Sequence, residues 1–453
     1  MDYEKIVNNQ KALFLSDITK YYAFRLKQLK ILKTNIIKFE DKILNALYLD
    51  LGKTSGESYI TEVGLVLKEL NYHIKNLKKL MKIKKVKTPL TLFPAKSYIY
   101  YEPYGSVLII SPWNYPFLLT FNPLIGAIAA GNTIIIKPSE YAINTSLVIK
   151  ELIETSFDES YVTTILGGIE ETTKLLENRF DYLFFTGSPK VGKIMMEKMS
   201  HNLTPLTLEL GGKSPALITK GVNLELVSKR IAYGKTINAG QTCIAPDYLL
   251  IEETLLDKFV DYFKKAINEF YINPLDNDNY PKIINTNHHN RLISLLKTEN
   301  IILGGNYNNT KIEPTLVLIK DLNSKLMEEE IFGPILPIVT YNNLSFAFDF
   351  IISREKPLSA YLFTNDKYTK DLFINKISSG GIVINDTLMH FANNNLPFGG
   401  VGNSGMGKYH GKSSFLTFSH SKAILNRRNY LDIKLRYQPI SKQDLKIIKK
   451  VIR

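Results

Sequence analysis

A single cysteine, Cys243, is the residue of this sequence best suited to forming a covalent intermediate. It is the only cysteine among 453 residues and ends the segment Gly-Gln-Thr-Cys at 240–243. Many lone cysteines are simply small buried apolar residues, but the compact residues 238–240 leave room for a small molecule to approach the sulfur. A thiolate is the best side-chain nucleophile near neutral pH if its environment activates it. We therefore predict that Cys243 is a nucleophile with a partner base.

Glu209 is the candidate for that base. It stands between two leucines in the apolar segment 206–210, which predicts a buried strand. A carboxylate in this setting is either held by a structural ion pair or kept desolvated, with a raised pKa, as a general base. The ends of strands in doubly wound sheets face the ligand crevice, which favours the general base.

Asn114 is a candidate for stabilising negative charge on a substrate oxygen. It lies in Ser-Pro-Trp-Asn-Tyr-Pro (111–116), directly after a predicted strand, and the two prolines constrain the turn. Its side-chain amide could donate to the oxyanion that forms when a thiolate adds to a carbonyl. The alternative is an ordinary turn with an asparagine in a left-handed conformation.

Five further residues indicate a cofactor with phosphate and ribose groups. Gly187 and Ser188 separate a predicted strand from a predicted helix, and Gly192 follows one turn later. A helix N-terminus at that position suits a pyrophosphate or a nicotinamide, although the segment is not the Gly-x-Gly-x-x-Gly fingerprint. Lys137 and Glu140 follow another predicted strand, where an acid that binds ribose is expected. No metal-ligand pattern accompanies these residues.

The elements that must position these residues alternate between strand and helix. Two helices are predicted first, at 11–29 and 40–48. The predicted strands are 107–110, 133–136, 162–166, 182–185 and 206–210. The predicted helices between them are 117–130, 143–155, 170–177 and 190–199. Short apolar strands separated by helices predict an α/β fold with a Rossmann-like, doubly wound parallel sheet.

A second α/β region is predicted from about 210 to 408. Its strands include 248–251, 335–339, 360–363 and 381–384. No low-complexity linker separates the two regions, so we expect two units packed around a shared cleft, a common place for a small-molecule site.

The composition indicates in which cellular compartment the protein works and with which kinds of partner. One cysteine excludes an intramolecular disulfide, and the N-terminus has no apolar leader, so a cytoplasmic protein is expected. The net charge of +14 comes partly from lysines in 75–87 and 442–450, which are expected to be solvated surface residues. Weak attachment to a membrane surface is the main alternative. Nucleic acid is not expected as a partner because no binding motif accompanies the charge.

Two segments predict a small β element that joins two copies of the chain. Residues 85–104 alternate β-branched and aromatic side chains like a hairpin, and 431–437 carries apolar residues at strand spacing. Neither segment has an evident core of its own to join, and exposed strands favour pairing with a second chain. A homodimer is expected. The alternative is a tail that docks on anionic lipid through Ile447, Ile448, Val451 and Ile452.

The motifs resemble one family when they are taken in order. The matching segments are 111–114, 137–140, 185–188, 209–215, 240–243 and 329–334. Together they resemble the aldehyde dehydrogenase superfamily over nearly the whole chain. Residues 243–248 and 397–411 resemble its class 3, fatty-aldehyde-type branch. Membrane-bound members of that branch end in an apolar anchor, whereas 447–453 cannot span a bilayer.

The resemblance implies an architecture and a cofactor. The domains implied are an NAD(P)-binding domain (1–84 and 105–209), a catalytic domain (210–408), and an oligomerisation hairpin with a C-terminal tail (85–104 and 421–453). NAD or NADP is implied as cofactor. Glu330 and Phe332 would hold the nicotinamide ribose, and Lys137 and Glu140 the adenosine ribose. Trp113, beside Asn114, is expected at the cofactor crevice.

The resemblance and the residue chemistry imply the same reaction. Cys243 attacks an aldehyde, Asn114 stabilises the thiohemiacetal oxyanion, hydride leaves for the nicotinamide, and Glu209 activates the water that hydrolyses the thioester. Relatives that transfer the acyl group to CoA lack this glutamate, so hydrolysis is favoured; a CoA-acylating enzyme or a catalytically silent relative are the alternatives. The aromatic residues Tyr115, Phe117, Phe391 and Phe398 favour medium- or long-chain aliphatic, or aromatic, aldehydes.

Overall fold

The N-terminal part of the chain is helical. The fold is that of a computed structural model, which describes residues 2–452. The helices are α1 (Tyr3–Leu15), α2 (Tyr22–Lys38), α3 (Glu40–Leu51), α4 (Ser55–Ser58) and α5 (Gly64–Leu80). The single helix predicted at 11–29 is therefore wrong. The chain turns between α1 and α2, where Asp17 has a left-handed φ of 65°.

A six-stranded sheet follows the helical segment. Its strands are β3 (Ser106–Ile110), β4 (Thr133–Lys137), β5 (Val162–Thr164), β6 (Tyr182–Gly187), β7 (Leu206–Leu210) and β15 (Gly405–Met406). The order is β15-β7-β6-β3-β4-β5, and all neighbours are parallel except β15 with β7. The five predicted strands are confirmed. The sixth, β15, was not predicted because two residues carry no periodic pattern.

The helices between these strands cover the sheet. They are α6 (Leu118–Ala130), α7 (Ile143–Ser156), α8 (Ile169–Leu175) and α9 (Pro189–Ser200). Every residue of β3, β4 and α6 is buried, as expected for strands covered on both faces. Gly131 ends α6 with φ 96°, a conformation that glycine adopts without steric cost.

The second α/β region contains a seven-stranded sheet. Its strands are β8 (Pro215–Ile218), β9 (Tyr248–Glu252), β10 (Ile301–Leu303), β11 (Thr315–Leu318), β12 (Ile335–Tyr341), β13 (Ser359–Phe363) and β14 (Gly381–Ile384). The order is β10-β11-β12-β9-β8-β13-β14, and only the β10–β11 pair is antiparallel. Its helices are α10 (Leu224–Thr236), α11 (Leu256–Phe270), α12 (Thr286–Leu296), α13 (Leu344–Ile352) and α14 (Lys367–Lys376).

A third, antiparallel sheet contains the predicted hairpin. It consists of β1 (Lys84–Val86), β2 (Ala95–Pro103) and β16 (Ser419–Arg427), in the order β1-β2-β16. β16 pairs with β2 over nine residues, and α15 (Lys412–Thr417) precedes it. The strand predicted at 431–437 is wrong: the segment holds one short 3-10 turn, and Leu431 and Tyr437 are exposed. The chain continues to α16 (Lys442–Ile452). Over the described range 2–452, no helix has the length and apolar character needed to cross a membrane.

Candidate active site

Four neighbouring strands of the six-stranded sheet bring most of the predicted site residues to one edge. Glu209 is the fourth residue of β7, and Gly187 ends β6 and is followed by Ser188. Asn114 lies four residues after β3, and Lys137 ends β4. Because these strands are parallel and adjacent, their carboxyl ends open on the same side. Such an edge is where ligands bind in doubly wound sheets.

The segment before Cys243 has an unusual backbone. Asn238, Ala239 and Gly240 all have left-handed φ angles, of 51°, 51° and 73°. A residue other than glycine loses roughly 1–2 kcal/mol in this conformation, so surrounding contacts must hold Asn238 and Ala239 in place. Glycine is required at 240 because a Cβ there would lie 2.3 Å from the carbonyl oxygen of Gly333. We call residues 238–243 the nucleophile loop.

The Gln241 side chain fixes this loop from within. Its amide nitrogen donates to the carbonyl oxygens of Asn238 and Lys282, at 2.9 and 3.0 Å. Its side-chain oxygen accepts from the backbone N–H of Ile284 at 3.0 Å. Gln241 is completely buried, so these bonds are shielded from competition with water. They hold the backbone that presents Cys243.

Asn114 is bonded directly to the nucleophile loop. Its Nδ2 donates to the carbonyl oxygen of Gln241 at 3.0 Å. Its own carbonyl oxygen accepts from Asn238 Nδ2 at 2.7 Å and is 3.5 Å from Lys53 Nζ. An amide nitrogen has two hydrogens, so Nδ2 can make this bond and still donate to a second acceptor. The ordinary-turn alternative accounts for none of these contacts with the loop.

A buried ion pair supports the turn that carries Asn114. Lys53 and Glu62 have no solvent exposure and are ion-paired. Glu62 also accepts from the backbone N–H groups of Phe117 and Leu118, at 2.9 and 3.0 Å. The pair thereby anchors the start of α6 behind the site. Sequence reasoning missed it, because two charged residues nine positions apart carry no local signal of burial.

Glu209 has the environment of a desolvated base. Only 3% of its surface is exposed, and neither carboxylate oxygen has a hydrogen-bond partner within residues 2–452. The structural ion pair considered as an alternative is therefore absent from the described chain. Burial raises the pKa of Glu209 well above its usual value. A strong proton acceptor with free oxygens is consistent with general-base chemistry.

Cys243 is half-buried and lies within reach of two carboxylates. Burial raises the pKa of its thiol, and the charges of Glu330 and Glu209 raise it further. The resting thiol is therefore protonated. Glu330 and Glu209 are the two carboxylates whose charges act on the thiol.

Glu330 and Phe332 lie on the loop before β12. The Glu330 carboxylate sits against Gly211, where an added Cβ would be 1.8 Å from Oε2. Burial, with a contribution from the charge of Asp247, raises the pKa of Glu330 to about 8. Phe332 has a left-handed φ of 54°, and its ring meets that of Trp113 edge-on at 5.3 Å.

The loop that carries Glu330 is anchored by Asp247. The two oxygens of Asp247 accept from the backbone N–H of Ile331 at 2.9 Å and from Lys213 Nζ at 2.5 Å. Lys235 is also buried here and its Nζ has no hydrogen-bond partner in the described residues. Sequence reasoning gave no role to Lys235 or Asp247, which share no motif and meet only in the fold.

Lys137 and Glu140 approach each other at the end of β4. Lys137 is 98% buried, and its Nζ lies 3.9 Å from a carboxylate oxygen of Glu140 and donates to Pro138 at 2.9 Å. Burial lowers the pKa of Lys137. Glu140 remains open to solvent, with 38% of its side chain exposed. The Glu140 carboxylate can accept hydrogen bonds and the buried Lys137 ammonium group can donate them. Together they suit the hydroxyls of a ribose.

The β6–α9 turn fits the phosphate side of a dinucleotide. Ser188 caps α9, with its side chain accepting from the backbone N–H of Val191. Gly192 lets α9 approach β7 closely, since a Cβ there would be 2.8 Å from the Leu210 side chain. The buried Thr186 hydroxyl beside the turn has no partner among the described residues. A capped helix N-terminus beside an unsatisfied hydroxyl is suited to an anionic ligand.

Aromatic side chains belong to the apolar cluster against which the cysteine packs. Cys243 packs against the apolar cluster that contains Tyr115, Phe117 and Phe398, and Phe391 packs against the same cluster. The rings of Phe391 and Phe398 are 4.8 Å apart. The cysteine and the four predicted aromatic residues thus belong to one apolar core, and the Tyr115 hydroxyl lies 2.7 Å from that of Thr242, the residue before Cys243.

The fold and the site together define a class of protein. A doubly wound sheet that carries a buried glutamate at a strand end, close to a half-buried cysteine, is suited to a cofactor-dependent oxidoreductase. The chain belongs to the Aldehyde dehydrogenase family, whose sequence profile matches residues 3–424. It is therefore an oxidoreductase that acts on aldehydes and converts them to carboxylic acids.

Individual relatives agree with this assignment. A 4,4'-diaponeurosporen-aldehyde dehydrogenase of Staphylococcus aureus is 52% identical over 94% of this chain and 94% of its own length. An aldehyde dehydrogenase family 3 member A2 of Macaca fascicularis is 46% identical over 97% and 91%. The substrate-bound structure of Staphylococcus aureus AldH superimposes with a TM-score of 0.97, at 50% identity and 99% coverage of both chains. The resemblance to the class 3 branch is confirmed.

Proposed function

We propose that the chain oxidises apolar aldehydes to carboxylic acids with NAD or NADP, through a thiohemiacetal and then a thioester on Cys243. The observation that carries this proposal is the buried Glu209 carboxylate. It has no hydrogen-bond partner among the described residues and lies close enough to Cys243 to raise the pKa of its thiol. A thiol with an unoccupied general base beside it is equipped to form an acyl intermediate and then hydrolyse it.

The chain's residues have the following roles in this reaction. Glu209 accepts the proton of the Cys243 thiol and releases it to solvent. The sulfur bonds to the aldehyde carbon as the carbonyl π bond breaks, and the carbonyl oxygen takes up negative charge. Asn114 Nδ2 and the backbone N–H of Cys243 donate to that oxygen. When the oxyanion collapses, hydride leaves the carbon and a thioester remains. Glu209 then removes a proton from water, whose oxygen adds to the thioester and displaces the Cys243 thiolate.

NAD or NADP is the proposed hydride acceptor, and when bound it supplies the two-electron oxidation. Glu330 and Phe332 are proposed to hold the nicotinamide ribose, and Lys137 and Glu140 the adenosine ribose. Gly187, Ser188 and Gly192 form the turn proposed for the pyrophosphate or nicotinamide, and Trp113 is proposed to border the cofactor. The free carboxylate of Glu140 disfavours a 2′-phosphate by charge, whereas Lys137 favours one. This pairing supports an enzyme that accepts both cofactors.

The two larger sheets are proposed to have separate roles. Residues 1–84 and 105–209 would bind the cofactor, and 210–408 would carry the nucleophile and complete the cleft. Residues 85–104 and 421–453 would join two copies. The short antiparallel strand β15 contributes directly to the cofactor side, because Gly405 pairs with Glu209 itself.

Apolar aldehydes are the proposed substrates. The aromatic cluster next to Cys243 supports them, and a relative 52% identical is named for a carotenoid aldehyde. We propose medium- or long-chain aliphatic, or aromatic, aldehydes as the substrate class. The polar groups of a polar or charged aldehyde would lose their hydration against these rings and gain no hydrogen bonds in return.

An assay of cofactor reduction with a series of aldehydes tests this function. We expect NADH and NADPH formation with alkanals of increasing length and with benzaldehyde, without added CoA, and free carboxylic acid as product. kcat/KM should rise as methylenes are added to the alkanal. Product that forms only when CoA is present would show an acylating enzyme, and no reduction with any aldehyde would show a catalytically silent protein.

Asn114→Ala should lower kcat by roughly 10²–10³-fold, the usual effect of removing one oxyanion donor. The Kd for NADH should stay within a small factor of the wild-type value, because Asn114 contacts the nucleophile loop rather than the cofactor turn. Steady-state kinetics and NADH titration measure both quantities. A variant whose main defect is in NADH binding would assign Asn114 to the cofactor instead.

We propose a homodimer in the cytoplasm. Its basis is the third sheet and the tail, where apolar side chains are exposed without a core: Leu425, Leu431, Ile447, Val451 and Ile452. Burying them against a second copy would remove this apolar surface from water. The lone catalytic thiol is suited to a reducing compartment. Weak membrane-surface attachment through the exposed lysines of 75–87 and 442–450 is the competing proposal.

Light scattering separates these two proposals. The full chain should have about twice the chain mass of 51.6 kDa, and a chain ending at Arg427, which keeps β16, should be monomeric or insoluble. A monomeric full chain that sediments with anionic vesicles at physiological salt would contradict the dimer and support the membrane.

A further inference from the structure

We propose that Glu57 is a positioning residue that holds the nucleophile loop in its catalytic conformation. Its Oε1 accepts a hydrogen bond of 2.7 Å from the backbone N–H of Asn238. The two residues are 181 positions apart in the sequence, so the bond joins the helical N-terminal segment to the loop that carries Cys243. This inference rests on the proposed role of Cys243 as nucleophile.

The element that presents Glu57 is short and well defined. Thr54 caps α4, and its side chain accepts from the backbone N–H of Glu57 at 3.1 Å. The Glu57 backbone is fixed by this cap, and its side chain reaches inward while Ser55 and Gly56 remain exposed. Nothing in the local sequence Thr-Ser-Gly-Glu-Ser distinguishes this glutamate from a surface acid, which is why sequence reasoning missed it.

The bond from Glu57 is made to Asn238, where the loop backbone is both left-handed and buried. Asn238 is the first of three consecutive residues with left-handed φ angles, and its backbone is completely buried. A buried N–H without an acceptor is strongly unfavourable. The Asn238 side chain in turn donates to the carbonyl oxygens of Asn114 and Gln241. A shift of Asn238 would therefore move the oxyanion donor and the nucleophile together.

The surroundings of Glu57 argue against a surface ion pair as its role. Lys53, the cation whose charge acts on Glu57, is ion-paired with Glu62. Burial raises the pKa of Glu57 to about 7. The charge of Glu57 also reaches four tyrosines, which are the buried Tyr115 and Tyr280 and the half-buried Tyr233 and Tyr271. The carboxylate thus lies at a desolvated position, and among the described residues its backbone partner is Asn238 of the loop.

The test compares Glu57→Ala with Glu57→Gln, and uses Ser55→Ala on the exposed side of the same helix as control. Glutamine keeps an oxygen that can accept from Asn238, whereas alanine does not. We expect Glu57→Ala to lower kcat by roughly 10- to 100-fold, the scale of a small misplacement of reacting groups. Glu57→Gln should stay within about threefold of the wild type, as should Ser55→Ala.

A second measurement separates this inference from the proposed function. Because Cys243 is the only cysteine, the rate of alkylation by iodoacetamide reports on the loop even without a substrate. Glu57→Ala should change that rate several-fold, with thermal unfolding and NADH affinity preserved, and Glu57→Gln should restore it. Equal kcat and alkylation rates in Glu57→Ala and wild type would overturn the inference, as would an equal loss in both Glu57 variants. Failure of the proposed function would instead appear as a wild type that is alkylated but reduces no cofactor.

Discussion

Replacing Cys243 with alanine is expected to abolish aldehyde oxidation and ester hydrolysis together. Both reactions need the same nucleophile and the same oxyanion site, and the chain has no second cysteine to substitute. The loss should be roughly 10⁴-fold or more in kcat, as for other enzymes that lose a covalent nucleophile. Cofactor reduction with a good aldehyde, and release of nitrophenol from an ester, measure the two activities.

A binding control shows that the Cys243→Ala protein is otherwise intact. Trp113 is the only tryptophan and its ring lies against that of Phe332, so NADH should quench its emission in the variant as in the wild type. Retention of more than a few per cent of kcat in the purified variant would refute the nucleophile assignment. Loss of NADH binding along with activity would show that the substitution disrupted the cleft.

Replacing Glu209 with glutamine is expected to stop the reaction after hydride transfer. Glutamine has nearly the same shape but cannot accept a proton from water, so the thioester should accumulate. Rapid mixing with excess aldehyde should give a burst of NADH near one per active site, followed by a steady state slower by roughly 10²–10⁴-fold. The exposed Glu154→Gln on α7 is the matched control and should behave as wild type.

The pH dependence of deacylation provides a second test of the role of Glu209. Burial raises the pKa of Glu209, so the carboxyl is increasingly ionised, and able to accept a proton, as pH rises. Deacylation in the wild type should therefore accelerate with pH, and this acceleration should be missing from Glu209→Gln. Normal turnover in the variant would show that another group activates the water.

The fold could be predicted where burial leaves a pattern in the sequence. Strands such as β3 and β4 are buried at every position, so their apolar runs identified them. The helix predicted at 11–29 failed because apolar spacing continued across the turn at Asp17. The strand predicted at 431–437 is wrong because alternating apolar residues do not form a strand without a neighbouring strand to pair with.

The site was predictable only as far as its motifs extend. Cys243, Glu209 and Asn114 could be predicted as site residues because each stands in a distinctive local setting. Their supports were not found, because the Lys53–Glu62 pair and the bond from Asn238 to Glu57 join residues through the fold. A buried charged residue looks like a surface residue in a sequence, and only its three-dimensional partners identify it.

Mass spectrometry of the Glu209→Gln variant tests the central claim most directly. The variant is mixed with aldehyde and NAD, quenched in acid after the burst, and digested. The peptide that contains Cys243 should be heavier by the mass of the acyl group derived from the aldehyde, and omission of NAD should leave it unmodified. An unmodified Cys243 peptide after a full burst of NADH, or an acyl group on another residue, would contradict covalent catalysis by Cys243.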